Sequence, residues 1–367
     1  MNQKLYKFLN IENNKYKKIY LFQISLIFFV GILSIFFRHP MSWYDEQVHY
    51  ARVITYSNDL GSTSEGSIEK GEQELINQSM RTISKSLGEP TSEVISFHWS
   101  NGFKDISDTR IVKTKDGSPA AVYSPLVYSP YIVAAWISKM IGLHTISTFL
   151  FLRLIGFLTV FILFLFSIRK IPFAKAALIV IALIPTVTIS FTAISADTLT
   201  YGLLFLVISQ FMSIYQKVSL SSNIKSKEII SLIICSLFLT LAKMPAFAVL
   251  ALYIPLIYIG VKNAKLSRKQ NIILGMTFIL CIISALAWYM SIKNINGNVS
   301  YYGAKNIDQS KQFAVLLAHP LRTIKVFFEN ITNFPFFDFQ LGYSDNTKWT
   351  HVPVLISLFS VIGFISS

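Results

Sequence analysis

The chain has 367 residues, of which 53% are hydrophobic and 14% charged, and its formal net charge is +14. A soluble domain carries nearer a quarter charged residues, so the composition excludes an ordinary soluble enzyme and points to a multi-pass membrane protein. The positive charge is not a nucleic-acid footprint, because the lysines and arginines lie mainly in short connections between apolar runs, where membrane orientation accounts for them.

Residues 1–18 include Lys4, Lys7, Lys15, Lys17 and Lys18 and read as a cytoplasmic N-terminus. Residues 19–37 are almost entirely apolar and form the first transmembrane helix. At about 1.5 Å per residue, such a run spans a hydrocarbon core of about 30 Å. It is too long for a signal peptide, and Arg38-His39-Pro40 is no small-residue cleavage site.

Residues 38–145 are expected to be an external loop that holds an acidic motif and an interfacial segment. The motif is Asp45-Glu46, which emerges just after the first span. A helix over Trp43–Arg52 would put Asp45, His49 and Arg52 on one face. Gly61 to Ser67 has the composition of a flexible linker. Glu72 to Leu87 suits a surface helix, and Phe97 to Val112 has a mixed, partly extended pattern. Residues 121–143 are apolar but broken by Pro125 and Pro130, and tyrosines 123, 128 and 131 favour an interfacial position.

Residues 146–291 are the expected transmembrane helical core, with runs near 146–168, 176–194, 198–215, 229–245, 247–261 and 271–291. Three connections are basic: Arg169, Lys170 and Lys175; Lys217, Lys225 and Lys227; and Lys262, Lys265, Arg268 and Lys269. Placing all three in the cytoplasm requires that 121–143 does not cross completely, and puts Asp45, Asp197 and Lys243 outside. Cys235 and Cys281 fall inside apolar runs, as small core residues do. Residues 292–350 form an external amphipathic segment, in which Phe313, Leu317, Leu321, Ile324 and Phe328 recur at roughly helical spacing. Residues 351–367 are read as the start of a further transmembrane helix.

Several short motifs recur in order. They are Asp45-Glu46, Tyr123-Ser124-Pro125-Leu126, Arg153 in an apolar run, Ile184-Pro185, Ser195-Ala196-Asp197, Leu241-Ala242-Lys243, Gln312, His319-Pro320 and Leu341-Gly342-Tyr343. This set resembles the bacterial membrane family of unknown function DUF2142. That family is in turn similar to the GT-C fold glycosyltransferases, such as protein O-mannosyltransferases and the aminoarabinose transferases of lipid A. The chain departs from the latter in having Tyr123-Ser124-Pro125 where they have Lys-Pro-Pro.

The resemblance implies an all-α integral membrane protein, a GT-C-like helical bundle with a long first external loop and external interfacial helices. It implies transfer of a sugar from a polyprenyl-phosphate donor to a glycan or glycoconjugate acceptor at the outer face of the cell membrane, in cell-surface polysaccharide assembly. Asp45 and Glu46 would be catalytic, with Asp45 the base. A divalent cation, Mg or Mn, is the implied cofactor, with Glu46 and His49 as its candidate ligands. Arg52, Tyr123, Arg153, Asp197 and Lys243 are the candidate substrate contacts.

Elementary chemistry supports part of this. A carboxylate must take the acceptor's proton, and cations must stabilise the departing phosphate. Arg153 and Lys243 lie in or beside apolar runs, where a charge is costly and marks a functional candidate. For Arg153 the structural alternative is pairing with Asp197 or a carbonyl, and for Lys243 it is reaching to the interface. The competing functions are a transporter or flippase of lipid-linked saccharides, which would want charges in the middle of several spans, and a non-catalytic component of a polysaccharide-assembly complex.

Overall fold

A computed structural model describes residues 9–10, 16–61, 65–86, 106–220, 224–262, 266–296 and 309–333. The readings for 351–367, for Leu341-Gly342-Tyr343 and for most of Phe97–Val112 lie outside the described residues. The protein is helical, with one two-stranded antiparallel sheet among the described residues.

Among the described residues, four helices are long and apolar enough to cross a bilayer: α1 (Lys17–Phe37), α5 (Thr145–Lys170), α8 (Ala196–Ser219) and α11 (Arg268–Asn296, apolar over Arg268–Ile292). Shorter apolar helices lie between them. Proline sets two of the breaks. The run near 176–194 divides at Ile184-Pro185 into α6 (Lys175–Leu183) and α7 (Pro185–Ser190), because a proline ring clashes with the preceding turn and lacks an amide donor. After α9 (Ser226–Ala242), Pro245 opens a 3₁₀ segment, Met244–Leu252, that leads into α10 (Tyr253–Lys262).

The segment after α1 is folded rather than a bare linker. It contains α2 (Glu46–Asn58), β1 (Gly66–Glu69), α3 (Lys70–Ser86) and β2 (Ile111–Thr114), with β1 paired to β2 from Gly66↔Thr114 to Glu69↔Ile111. Tyr50, Val53, Ile54, Ile68, Leu75 and Ile76 bury into one core with Val127, Tyr128 and Phe149. Residues 118–140 form two 3₁₀ turns, Ser118–Val122 and Pro125–Tyr128, and then α4 (Ser129–Met140). Twelve helical residues reach only about 18 Å, short of a hydrocarbon core of about 30 Å. Gly117 lets this stretch lie directly on α2, since a side chain there would meet the Arg52 amide nitrogen at 2.9 Å.

A second core joins α1 to α5 and α6 through Ile24, Ile27, Phe157, Phe164, Ile179 and Phe191. Phe157 packs against the bare backbone of Gly31, where a methyl group would come within 2.3 Å of the ring. The helices α12 (Gln309–Ala318) and α13 (Pro320–Asn333) carry exposed apolar side chains that include Phe313, Leu317, Leu321, Ile324 and Phe328.

Contacts between distant segments sort the helix ends. Lys175 Nζ donates to the carbonyls of Ile168, Ile171 and Leu9, and Lys217 pairs with Glu228, where α8 and α9 meet. At the opposite end gather the C-terminus of α1, the 118–131 stretch, the N-terminus of α8 and the C-terminus of α9. The Trp288 indole of α11 reaches this end as well, and donates to the Val122 carbonyl at 2.9 Å.

Candidate functional site

The acidic pair is divided between two environments. The chain leaves α1 at Arg38 and turns through His39–Tyr44, with the Ser42 amide on the His39 carbonyl and the Glu46 amide on the Trp43 carbonyl. Helix α2 therefore begins at Glu46, not at Trp43. Asp45 is its N-cap residue in the left-handed conformation (φ 55°), and Met41 also has a positive φ, 59°. Aspartate tolerates that region better than most residues, and strained backbone concentrates at functional sites. Asp45 is exposed, and its carbonyl accepts the amides of Val48 and His49.

Glu46 points the other way and is completely buried. Arg153 of α5 grips it bidentately, Nε to Oε1 at 2.9 Å and Nη2 to Oε2 at 2.6 Å. Arg38 and the Ile194 amide add bonds to Oε1 at 3.3 and 3.1 Å. Burial pushes the carboxyl up, but the charges of Arg153 and Arg38 outweigh it and hold the group below the usual carboxylate range. Arg153 spends its remaining donors on the carbonyls of Ile35, Arg38 and His39, and its guanidinium lies 4.5 Å from the Phe149 ring centroid. A guanidinium has five N–H donors, and all five are used here. Glu46 and Arg153 thus form a clamp between α1, α2, α5 and the α7–α8 turn, rather than an open catalytic or substrate-binding pair.

A second group of side chains is more open. Asp197, in the first turn of α8, pairs with Lys243 at the end of α9. The Lys243 ammonium lies 5.9 Å from the Tyr123 ring centroid, and that ring is 5.6 Å from the His49 ring. His49 Nδ1 is 2.5 Å from the Tyr128 hydroxyl. Burial lowers the His49 pKa to about 4, with Asp197 raising it and Lys243 opposing that. Burial raises the Tyr128 phenol well above its ordinary value. Both groups are therefore neutral at pH 7, and their contact is a neutral hydrogen bond. For Lys243, burial is outweighed by the Asp197 charge, and the ammonium is held above its usual pKa.

The structure therefore brings His49, Tyr123, Asp197 and Lys243 together, with Asp45 one helical turn from His49. It does not bring Arg153 to Asp197. Arg52 is buried, and its guanidinium lies 4.0 Å over the Tyr56 ring. Tyr128 was not among the sequence candidates, and its signal was the repeated Tyr-Ser-Pro of 123–130.

The implied divalent cation does not fit these side chains. Both Glu46 oxygens are committed to arginines, His49 Nδ1 faces Tyr128, and no three His, Cys, Asp or Glu side chains gather into a metal-holding group among the described residues.

The family model described as predicted membrane protein (DUF2142) matches residues 28–367, and the chain belongs to this family. No curated protein and no solved structure matches it.

Proposed function

We propose that this DUF2142 protein is a membrane glycosyltransferase. It would move a sugar from a polyprenyl-phosphate donor to a glycan or glycoconjugate acceptor at the end of the bundle that holds Asp45, taken as the outer face. The observation that supports this most is the gathering, at one end of the apolar helices, of an exposed carboxylate on a strained helix cap and an accessible lysine among tyrosines.

In this reading the Asp45 carboxylate accepts the acceptor hydroxyl's proton as that oxygen attacks the anomeric carbon. The bond from the anomeric carbon to the phosphate oxygen breaks, and the phosphate leaves with the electron pair. Lys243 is the cation placed to offset the charge that develops there. Glu46 holds the clamp that sets the start of α2, and so positions Asp45. Tyr123 and His49 line the approach.

The test is transfer by purified protein in detergent, supplied with labelled polyprenyl-phosphate sugars and a membrane extract as acceptor source. The expected result is a labelled product that disappears with Asp45→Asn. Donor movement across sealed vesicles without any transfer would instead establish the transporter.

A further inference from the structure

Two of the ion pairs at this end of the bundle differ in kind. The Glu46 and Arg153 side chains are both 0% exposed. Every donor of that arginine is spent, so neither partner can turn to a ligand. Lys243 and Asp197 are 29% and 39% exposed. Among the described residues, the Lys243 ammonium has one hydrogen-bond partner, a single Asp197 oxygen. An ammonium has three donors, so two remain for something else.

The surroundings favour an anion with a lipid tail. Lys243 stands where the chain leaves the apolar helix α9. The Tyr123 ring flanks its ammonium. Asp197 sits in the first turn of the 24-residue α8, where its own amide is capped by Ser195 Oγ at 3.1 Å and the positive end of the helix dipole attracts negative charge. The place accepts an anion from two directions, and the chain supplies one of its own.

We propose that Lys243, with Tyr123 and the first turn of α8, is a binding site for the phosphate ester of a lipid, and that Asp197 occupies it as an internal stand-in which the ligand displaces. The lipid part of this assignment rests on the proposed glycosyltransferase function. A phosphate offers the ammonium more acceptor oxygens than one carboxylate contact does. The displaced Asp197 is already partly in water, so it can rehydrate where it stands. Glu46 could not do the same.

If Asp197 competes with the ligand, removing its charge must tighten binding. If it is part of the binding surface, or only a structural partner of Lys243, removal must weaken binding or leave it unchanged. The experiment is calorimetric titration of the purified full chain in detergent with farnesyl monophosphate. Farnesol, inorganic phosphate and phosphatidylglycerol serve as comparison probes.

Asp197→Asn should bind farnesyl monophosphate about two- to fivefold more tightly, the range expected on losing a partly exposed pair. Lys243→Gln should bind it at least about tenfold more weakly, as a charge-assisted bond is lost. Lys243→Arg, with the charge kept, should stay within a few-fold of the native protein, and equal thermal midpoints for the variants exclude misfolding. Farnesol should not bind. Weaker or unchanged binding by Asp197→Asn, or unchanged binding by Lys243→Gln, overturns the proposal. Inorganic phosphate binding as tightly as farnesyl monophosphate overturns the lipid phosphate as its ligand; phosphatidylglycerol, itself a phosphate ester of a lipid, should bind more tightly than inorganic phosphate, and the reverse order overturns it as well. This outcome separates from the glycosyltransferase reading: the predicted binding pattern without sugar transfer defeats only the enzyme, and transfer with the opposite pattern defeats only the displacement.

Discussion

Replacing Arg153 with methionine should destabilise the fold rather than merely disable the site. The substitution keeps an unbranched apolar chain in α5 but removes five hydrogen bonds. Removing one partner of a buried ion pair typically costs about 3–5 kcal/mol, because the other charge stays buried. Arg38 and the Ile194 amide still neutralise part of the Glu46 charge, which argues for the lower half of that range. The carbonyls of Ile35 and Arg38 also lose a donor, while that of His39 keeps the Ser42 amide and hydroxyl, and each unsatisfied buried group costs about 1–3 kcal/mol unless water reaches it. A loss of about 5 kcal/mol would take much of the stability of a typical domain, which is about 5–15 kcal/mol. At about 2–4 °C per kcal/mol for a chain of a few hundred residues, the thermal midpoint in detergent should fall by more than about 10 °C. Arg153→Lys keeps a charge but has three donors in place of five, so it should fall in between. The double variant Glu46→Leu with Arg153→Met leaves no buried carboxylate and should recover part of the loss. A midpoint within about 3 °C of the native protein for Arg153→Met, together with lost donor binding, would refute this reasoning and return Arg153 to the substrate.

Asp45→Asn should lower transfer by about a hundred- to ten-thousand-fold, the usual range for a lost general base, with an unchanged thermal midpoint, whereas Glu46→Gln should lower the midpoint itself. Thermal stability should also fall as pH drops from 6.5 towards 4, because His49 binds a proton more readily unfolded than folded; a folded pKa of about 4 amounts to about 3 kcal/mol at 1.36 kcal/mol per pKa unit, and His49→Gln should flatten that limb. Glu72 acts with the opposite sign: burial raises its pKa to about 7, so its contribution is full below pH 4.5 and is lost as pH rises through 7, and Glu72→Gln should raise the midpoint at pH 8 but not at pH 4. In a background without Cys235 and Cys281, an impermeant thiol reagent should label Lys305→Cys and not Lys225→Cys in intact cells; the reverse pattern would invert the orientation.

Much of the architecture was legible because its causes are local. An apolar run of spanning length, the proline at Ile184-Pro185 and the doubled prolines of 125–130 each act on a few neighbouring residues. The pairing of charges was not legible, because it is decided by packing. Asp45 and Glu46 look interchangeable as letters. Once Asp45 caps the helix and Glu46 begins it, their side chains leave in different directions, one to water and one to Arg153 across 107 positions of sequence. The expected face of Asp45, His49 and Arg52 assumed that the helix already included Asp45. Its left-handed backbone breaks that assumption, and the Arg52 guanidinium turns to Tyr56 instead. Arg153 and Asp197 were plausible partners on charge and depth, yet each found another: Arg153 took Glu46, and Asp197 took Lys243.

That exchange of partners has a physical logic. A buried charge that must not move needs every hydrogen-bonding position filled, and Arg153 achieves this by using backbone carbonyls at the end of α1, which have no helical partner of their own. The same bonds fix where α2 starts, and so where the Asp45 carboxylate stands. A charge that must meet a ligand needs the reverse: one weak partner, some exposure and a cheap way back to water. An exposed pair is worth about 0.2–1 kcal/mol, small enough for a phosphate to displace, yet it keeps the lysine from standing unpaired at the membrane edge. A single buried network could not meet both demands. Two pairs side by side, one saturated and one open, separate the task of holding the site from that of filling it.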